Sequence, residues 1–136
     1  MKLLLDTHYL LWLLNDDASL NQRARKQIES AEAVYFSDVS ILEIGLKWRT
    51  GKLSLEPRIA VREALAVGVQ HMTISSEAVL LSCELKQAHG DPFDRLLYAQ
   101  AKLHGLRLLS VDRMLLTFGT SAVAPENPSR PKAPRK

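Results

Sequence analysis

Short apolar runs separated by longer amphipathic stretches most narrow the folds open to this chain. Lys2–Leu5, Val34–Ser37 and Leu106–Val111 read as strands, and Met72–Ile74 as a further short one. The intervening segments carry helix start and stop signals. Thr7–Leu14 is so apolar that, as a helix, it needs cover on most sides. Ser19 can cap a helix to about Glu32, and a helix from Ser40 to Arg49 would end at Gly51. Pro57 suits the first turn of a helix that Gly68 closes, and Ser75-Ser76 can cap one running through Lys86. Asp91 and Pro92 open a helix to His104 that Gly105 ends, and a short helix over Arg113–Phe118 follows the last strand. Strands alternating with helices of this length form βαβ units. The expectation is one α/β domain over residues 1–124, with a mainly parallel central sheet and helices on both faces.

A chain of 136 residues, 46% hydrophobic and 24% charged, can bury a core of that kind. The net charge of +3 has a local origin: residues 125–136 hold four basic residues and one acidic one, which leaves the body neutral. Four prolines within those twelve residues preclude regular structure, so the segment reads as a disordered, basic, Pro-rich tail. It suits weak phosphate attraction, and an inert appendage fits equally well. The single cysteine, Cys83, excludes an intrachain disulfide, and Leu80, Leu81 and Leu85 around it suggest a buried apolar thiol. A cytoplasmic protein is expected. Met1–Leu5 starts like a secretion signal, but Asp6 and His8 interrupt it, and no segment is apolar for long enough to span a membrane.

Four acidic residues stand where such a fold would gather them: Asp6 after the first strand, Glu43 and Asp94 in the first turns of helices, and Asp112 after the Leu106–Val111 strand. Residues at and beyond the carboxyl ends of parallel strands converge on one sheet edge, where ligands bind. Clustered carboxylates raise each other's pKa and need a cation to stay ionised together. Mg²⁺ or Mn²⁺ fits oxygen ligands and serves enzymes that cleave phosphate esters. Thr7 and Ser40 could hold a water or orient a carboxylate beside them.

Bland readings compete at several of these positions. Ser40-x-x-Glu43 also matches a capping box, and Asp91-Pro92-x-Asp94 matches ordinary helix-start chemistry, with Asp91 as the cap. Thr7 and Ser40 could simply cap helices. Asp6 and Asp112 resist such accounts, because a carboxylate closing an apolar strand enters a region where an unpaired charge costs several kcal/mol. Asp16, Asp17, Asp38 and Glu126 read as solvated. His8, His71, His89 and His104 show no zinc-ligand spacing, and there is no phosphate-cradling glycine loop, nucleophile elbow or aromatic basic stretch.

Taken together, Leu3-Leu4-Leu5-Asp6-Thr7-His8, Ser40-x-x-Glu43-Ile44 with Gly51-Lys52-Leu53, Asp91-Pro92-Phe93-Asp94-Arg95 with Ala99-Gln100-Ala101, and Leu108-Leu109-Ser110-Val111-Asp112 resemble a PIN domain. The resemblance is strongest to VapC-like toxins of bacterial type II toxin–antitoxin systems, and it covers residues 1 to about 124. It implies an endoribonuclease dependent on Mg²⁺ or Mn²⁺, in which metal-activated water hydrolyses RNA. The acidic quartet matches Asp6, Glu43, Asp94 and Asp112 as catalytic residues and metal ligands. Thr7, Ser40 and Ser110 would support them, Ser110 standing where such proteins often carry threonine. The resemblance also implies a cognate antitoxin, and a homodimer would use the apolar surface of Thr7–Leu14, Leu42–Trp48 and Ile59–Val67. Two alternatives remain at this point: a PIN-like RNA-processing nuclease outside a toxin system, and a non-catalytic receiver-like signalling module. The receiver needs adjoining acids after its first strand, and here Thr7 follows Asp6.

Overall fold

The computed structural model describes residues 1–85, 91–111 and 122–123. The strands are β1 (Lys2–Leu5), β2 (Ala33–Ser37), β3 (Gln70–Met72), β4 (Arg107–Leu109) and β5 (Ala122–Val123). The helices are α1 (Thr7–Leu14), α2 (Gln22–Ser30), α3 (Asp38–Arg49), α4 (Pro57–Ala66), α5 (Ser76–Glu84) and α6 (Pro92–His104). The strands form one sheet in the order β3-β2-β1-β4-β5, and every pairing is parallel. Parallel neighbours require crossovers, which the helices supply.

Alternation along the central strands feeds two cores. Leu3 and Leu5 join Phe36 and Leu109 on one face, under Tyr9 and Leu10 of α1, Ala24 of α2, Ile44 of α3, and Ala60 and Ala64 of α4. Leu4 and Leu108 point the other way, against Val39 at the start of α3 and Leu97, Tyr98 and Ala101 of α6. Helices therefore cover both faces, as expected for strands that read as continuous apolar runs.

The chain builds outward from β1 through β2 and β3, then returns to the other side of β1 for β4 and β5. The order reverses between β1 and β4. At such a switch point the crossovers diverge and leave a crevice at the carboxyl ends of the strands. Asp6 and Ser110 directly follow the two strands that bound it.

Several boundaries differ from expectation, each because of where a backbone hydrogen bond goes or where pairing ends. Helix α3 begins at Asp38 because the Ser37 hydroxyl, not that of Ser40, accepts from the Val39 amide at 3.0 Å. Asn21, not Ser19, caps α2 through the Ala24 amide at 2.8 Å. β3 ends at Met72, which pairs with Ser37 at the end of β2, so Thr73 and Ile74 have no ladder to join. β4 is shorter than Leu106–Val111 because both flanking amides are diverted: Leu106 donates to Ala101 O at 2.8 Å, and Val111 donates to Asp6 Oδ2 at 3.1 Å. Gly105, at φ +65°, makes the left-handed turn that this helix end requires. β5 had no signal in the sequence. Cys83 is exposed rather than buried, sharing the outward side of α5 with Val79 and Leu80 while Ala78 and Ser82 face in. The helix expected over Arg113–Phe118 and the tail 125–136 lie outside the described residues. Among the described residues, no helix is long and apolar enough to cross a membrane.

Candidate active site

The crevice is organised around Asp6, which closes β1 and caps α1. Its Oδ1 accepts from the Tyr9 amide at 2.8 Å and its Oδ2 from the Val111 amide at 3.1 Å. The Ser110 side chain, itself fully buried, adds another hydrogen bond. The residue is only 4% exposed. Burial pushes the carboxyl above its ordinary value, and it outweighs the opposing pull of these hydrogen bonds and of nearby His8. Folding has thus placed a carboxyl where its anion is under-solvated although hydrogen-bond donors surround it. Such a group is relieved by a proton or by a cation.

A second limb of the site comes from α1 and α3. Thr7 Oγ1 lies 2.6 Å from Glu43 Oε1 and 2.9 Å from Ser40 Oγ. One hydroxyl carries one proton, and the carboxylate makes the stronger claim on it. Thr7 therefore donates to Glu43 and accepts from Ser40. Neither hydroxyl caps a helix, and Glu43 is not part of a capping box; it is half-buried, with one oxygen held by Thr7. This chain Ser40–Thr7–Glu43 fixes the orientation of the Glu43 carboxylate next to the residue that follows Asp6.

Asp94 reaches the same edge by another route. Gly105 and Leu106 join α6 directly to the start of β4, so the helix runs antiparallel to the sheet and its first turn stands at the carboxyl end. Asp91 caps that turn through the Phe93 amide at 2.9 Å, as its sequence context suggests, and Asp94 is half-buried one step inside. Arg95 anchors α6 to α5 by donating to Ser82 O at 2.8 Å and Leu85 O at 2.7 Å. Asp112 lies outside the described residues. Among the described residues, no three His, Cys, Asp or Glu side chains are grouped closely enough to hold one ion. Among those residues His8 is the one imidazole near Asp6, and the side chains tied together at this edge, Asp6 with Ser110 and Thr7 with Ser40 and Glu43, offer oxygen, which suits a hard divalent cation rather than zinc.

Two polar contacts near this edge escaped the sequence. Asp38, expected to be solvated, instead meets His71 Nε2 at 2.6 Å and accepts from the Ile74 amide at 3.1 Å, while the His71 ring stacks on Phe36. Ser37 donates to Gln100 Oε1 between two fully buried side chains. A glutamine within the apolar run Leu96-Leu97-Tyr98-Ala99-Gln100-Ala101 was the one available signal for the second contact.

A single α/β domain with a buried carboxylate at the switch point of a parallel sheet defines the class of this protein. Residues 3–119 match the PIN domain family, and the chain belongs to it. Ribonuclease VapC22 of Mycobacterium tuberculosis is 31% identical over 114 residues, which cover 82% of this chain and 88% of that protein. Among solved structures, a toxin–antitoxin complex from Klebsiella pneumoniae superposes with a TM-score of 0.64 at 21% identity, covering 90% of this chain and 97% of that one. VapBC2 from Rickettsia felis, bound to a promoter DNA fragment, gives a TM-score of 0.61 at 13% identity over 82% and 89% of the two chains.

Proposed function

We propose that this protein is a cytoplasmic endoribonuclease dependent on Mg²⁺ or Mn²⁺, and the toxin of a type II toxin–antitoxin pair. The observation that carries the reading is the burial of Asp6 at the switch point, on a chain 31% identical to a ribonuclease. Asp6 and Asp94 would be the principal holders of the ion, with Asp112 and Glu43 completing the set. When bound, such an ion supplies positive charge against the scissile phosphate and acidifies water at the site.

The residues themselves contribute orientation. Thr7 holds Glu43 Oε1 by its hydroxyl proton and leaves Oε2 to accept a proton from water. Ser110 and the Tyr9 and Val111 amides hold the Asp6 carboxyl in one orientation. A nest of carboxylates repels the RNA backbone, so cation binding precedes substrate binding. With no base-reading motif, selectivity would follow RNA shape and single-stranded loops.

The antitoxin reading draws on the toxin–antitoxin complexes that share this fold. It also draws on a groove of about 740 Å³ between α3 and α4, lined by Ile41, Trp48, Pro57, Arg58, Val61 and Arg62. Leu42, Leu46, Trp48, Ile59, Leu65 and Val67 are exposed nearby, whereas the apolar residues of α1 are buried or half-buried in the first core. An antitoxin segment would seat apolar side chains in this groove and carry an arginine to the acidic site, where its planar donors pair bidentately with carboxylates. The remaining apolar surface suits a homodimer.

The decisive experiment is RNA cleavage by Asp6→Asn and by the unmodified protein, each titrated with Mn²⁺. Cleavage that needs Mn²⁺ and disappears in the folded variant is expected. Cleavage by Asp6→Asn at the normal rate would remove Asp6 from the site and the proposal with it.

A further inference from the structure

Gln100 is the longest polar side chain with no solvent exposure among the described residues. It shares α6 with Leu97, Tyr98 and Ala101, which belong to the second core. Both ends of its amide are nevertheless used. Nε2 donates to Thr73 O at 3.3 Å, just beyond β3, and Oε1 accepts from the Ser37 hydroxyl. The orientation is determined: only the amide NH₂ can donate to the Thr73 carbonyl, which leaves Oε1 toward Ser37, and Ser37 must donate because an amide oxygen can only accept. One side chain thus ties the middle of α6 to the end of β2, the cap of α3 and the segment after β3.

The elements it joins are those that carry the acids. Ser37 caps α3, which bears Ser40 and Glu43, and Gln100 lies on α6 about two turns below Asp94. Arg95 ties α6 to α5 through Ser82 O and Leu85 O, while the buried Leu97, Ala99 and Ala101 of the same helix make contacts that are apolar and partly small. Contacts of that kind are non-directional, so they hold the helix down without fixing its roll or its slide along the sheet. Hydrogen bonds between buried partners are directional, and a satisfied polar network in an apolar core selects one arrangement over near alternatives. Divalent ions of the Mg²⁺ type tolerate ligand displacements of only about 0.2 Å around a 2.0–2.1 Å bond.

We infer that Gln100 is a positioning residue: with Ser37 it sets the register of α6 against α3, and so places Asp94 relative to Asp6 and Glu43. This rests on the proposed metal-dependent nuclease for its consequence, though not for its geometry. The variant Gln100→Met keeps the length and volume and removes both hydrogen bonds. Residues that orient metal ligands typically change affinity or activity by about 10–100-fold when replaced, so Mn²⁺ affinity of the RNA-free protein, read by titration calorimetry, should weaken at least roughly tenfold. kcat at saturating Mn²⁺ should fall similarly while KM for RNA stays within about twofold, because only the placement of the reacting carboxylates has changed. Ile28→Ala, a half-buried truncation on α2 away from α6, controls for lowered stability and should leave Mn²⁺ affinity unchanged.

An unchanged Mn²⁺ affinity in Gln100→Met, with a melting temperature no lower than that of Ile28→Ala, overturns the inference. A crystal structure of Gln100→Met separates the two proposals. The Asp94 carboxylate should shift by roughly 0.5 Å or more against Glu43, the tolerance beyond which such sites fail. An unmoved α6 overturns the positioning role even where the unmodified protein cuts RNA, and an unmodified protein that neither binds Mn²⁺ nor cuts RNA removes the nuclease instead. Should Gln100→Met not fold, Gln100→Asn keeps a neutral amide on an arm one methylene shorter, which cannot reach Ser37 and Thr73 together. It should show an intermediate loss, and full Mn²⁺ affinity there would equally overturn the inference.

Discussion

Replacing Thr7 by valine isolates the hydroxyl chain that holds Glu43. Valine keeps the branched shape of a residue that is 3% exposed, so packing is preserved and only the hydroxyl is lost. The Thr7–Glu43 hydrogen bond, at 2.6 Å, involves a charged partner. Such bonds contribute about 1.5–3 kcal/mol, and because Glu43 is half-exposed to screening water the lower end, about 1.5 kcal/mol, applies. Ser40 is fully buried and loses its partner at 2.9 Å. A buried hydroxyl left unsatisfied adds about 1 kcal/mol, for a total near 2.5 kcal/mol. An unfolding entropy of about 2.1 cal/mol/K per residue, over 136 residues, gives roughly 0.29 kcal/mol/K, so the melting temperature should fall by about 9 °C.

A double-mutant cycle with Glu43→Ala decides whether the loss belongs to this contact. Thermal melts at neutral pH with chelator present should show a coupling between Thr7→Val and Glu43→Ala of about 1–1.5 kcal/mol. The Ser40 part of the loss is outside the cycle and should persist in both backgrounds. If the two single effects add to within about 0.5 kcal/mol, the hydroxyl is not bonded to Glu43 and the second limb of the site is wrong.

Asp6 makes the metal-free protein less stable as pH rises. Its folded pKa lies above the ordinary 3.8, so its contribution is fully present below that pH and is lost as pH climbs through the raised value. Asp6→Asn should flatten this part of the pH–stability curve, and an unaltered curve would show that the carboxyl is not under-solvated. Mn²⁺ at about 100 times its Kd should stabilise the native state by about 2.7 kcal/mol, or roughly 9 °C on the same scale, and Asp94→Asn should abolish most of that rise. Trp48, 44% exposed beside the α3–α4 groove, should be needed for the partner and not for catalysis. Trp48→Ala should weaken co-purification with the protein encoded by the neighbouring reading frame and leave RNA cleavage intact; tight capture by the variant would move the partner elsewhere.

The fold was legible where one-dimensional patterns have one physical meaning. Leu3-Leu4-Leu5 suits a strand covered on both faces, where Leu3 and Leu5 enter one core and Leu4 the other, and Asp91-Pro92 with Gly105 bracket α6 by backbone rules that need no tertiary partner. The caps of α2 and α3 moved by a few residues to other local side chains, but the end of β4 moved because a tertiary hydrogen bond outbid the local signal. The Val111 amide leaves the β4 ladder for Asp6, a residue 105 positions away, and no window along the chain contains both. Cys83 failed for a related reason: hydrophobic neighbours in sequence fall on both sides of a helix, and its own side faces outward with Val79 and Leu80.

The site divides along the same line. Asp6 could be singled out because an acid ending an apolar strand conflicts with its surroundings, and such conflicts between local and global preference mark functional positions. Glu43 and Ser40 could not be resolved from a capping box, since both readings need the same residues at the same spacing; only the position of Thr7, brought across from α1, chooses between them. Ser37 and Gln100 were invisible as a pair because 63 residues separate two side chains whose types are unremarkable alone. What the sequence displays is therefore the chemistry of the acids, while the contacts that would hold those acids at a fixed separation appear only once β1, α3 and α6 are packed together. Substitutions that spare every acid can for that reason still disable this protein, and the ones to expect first are those that empty the Ser37–Gln100 contact.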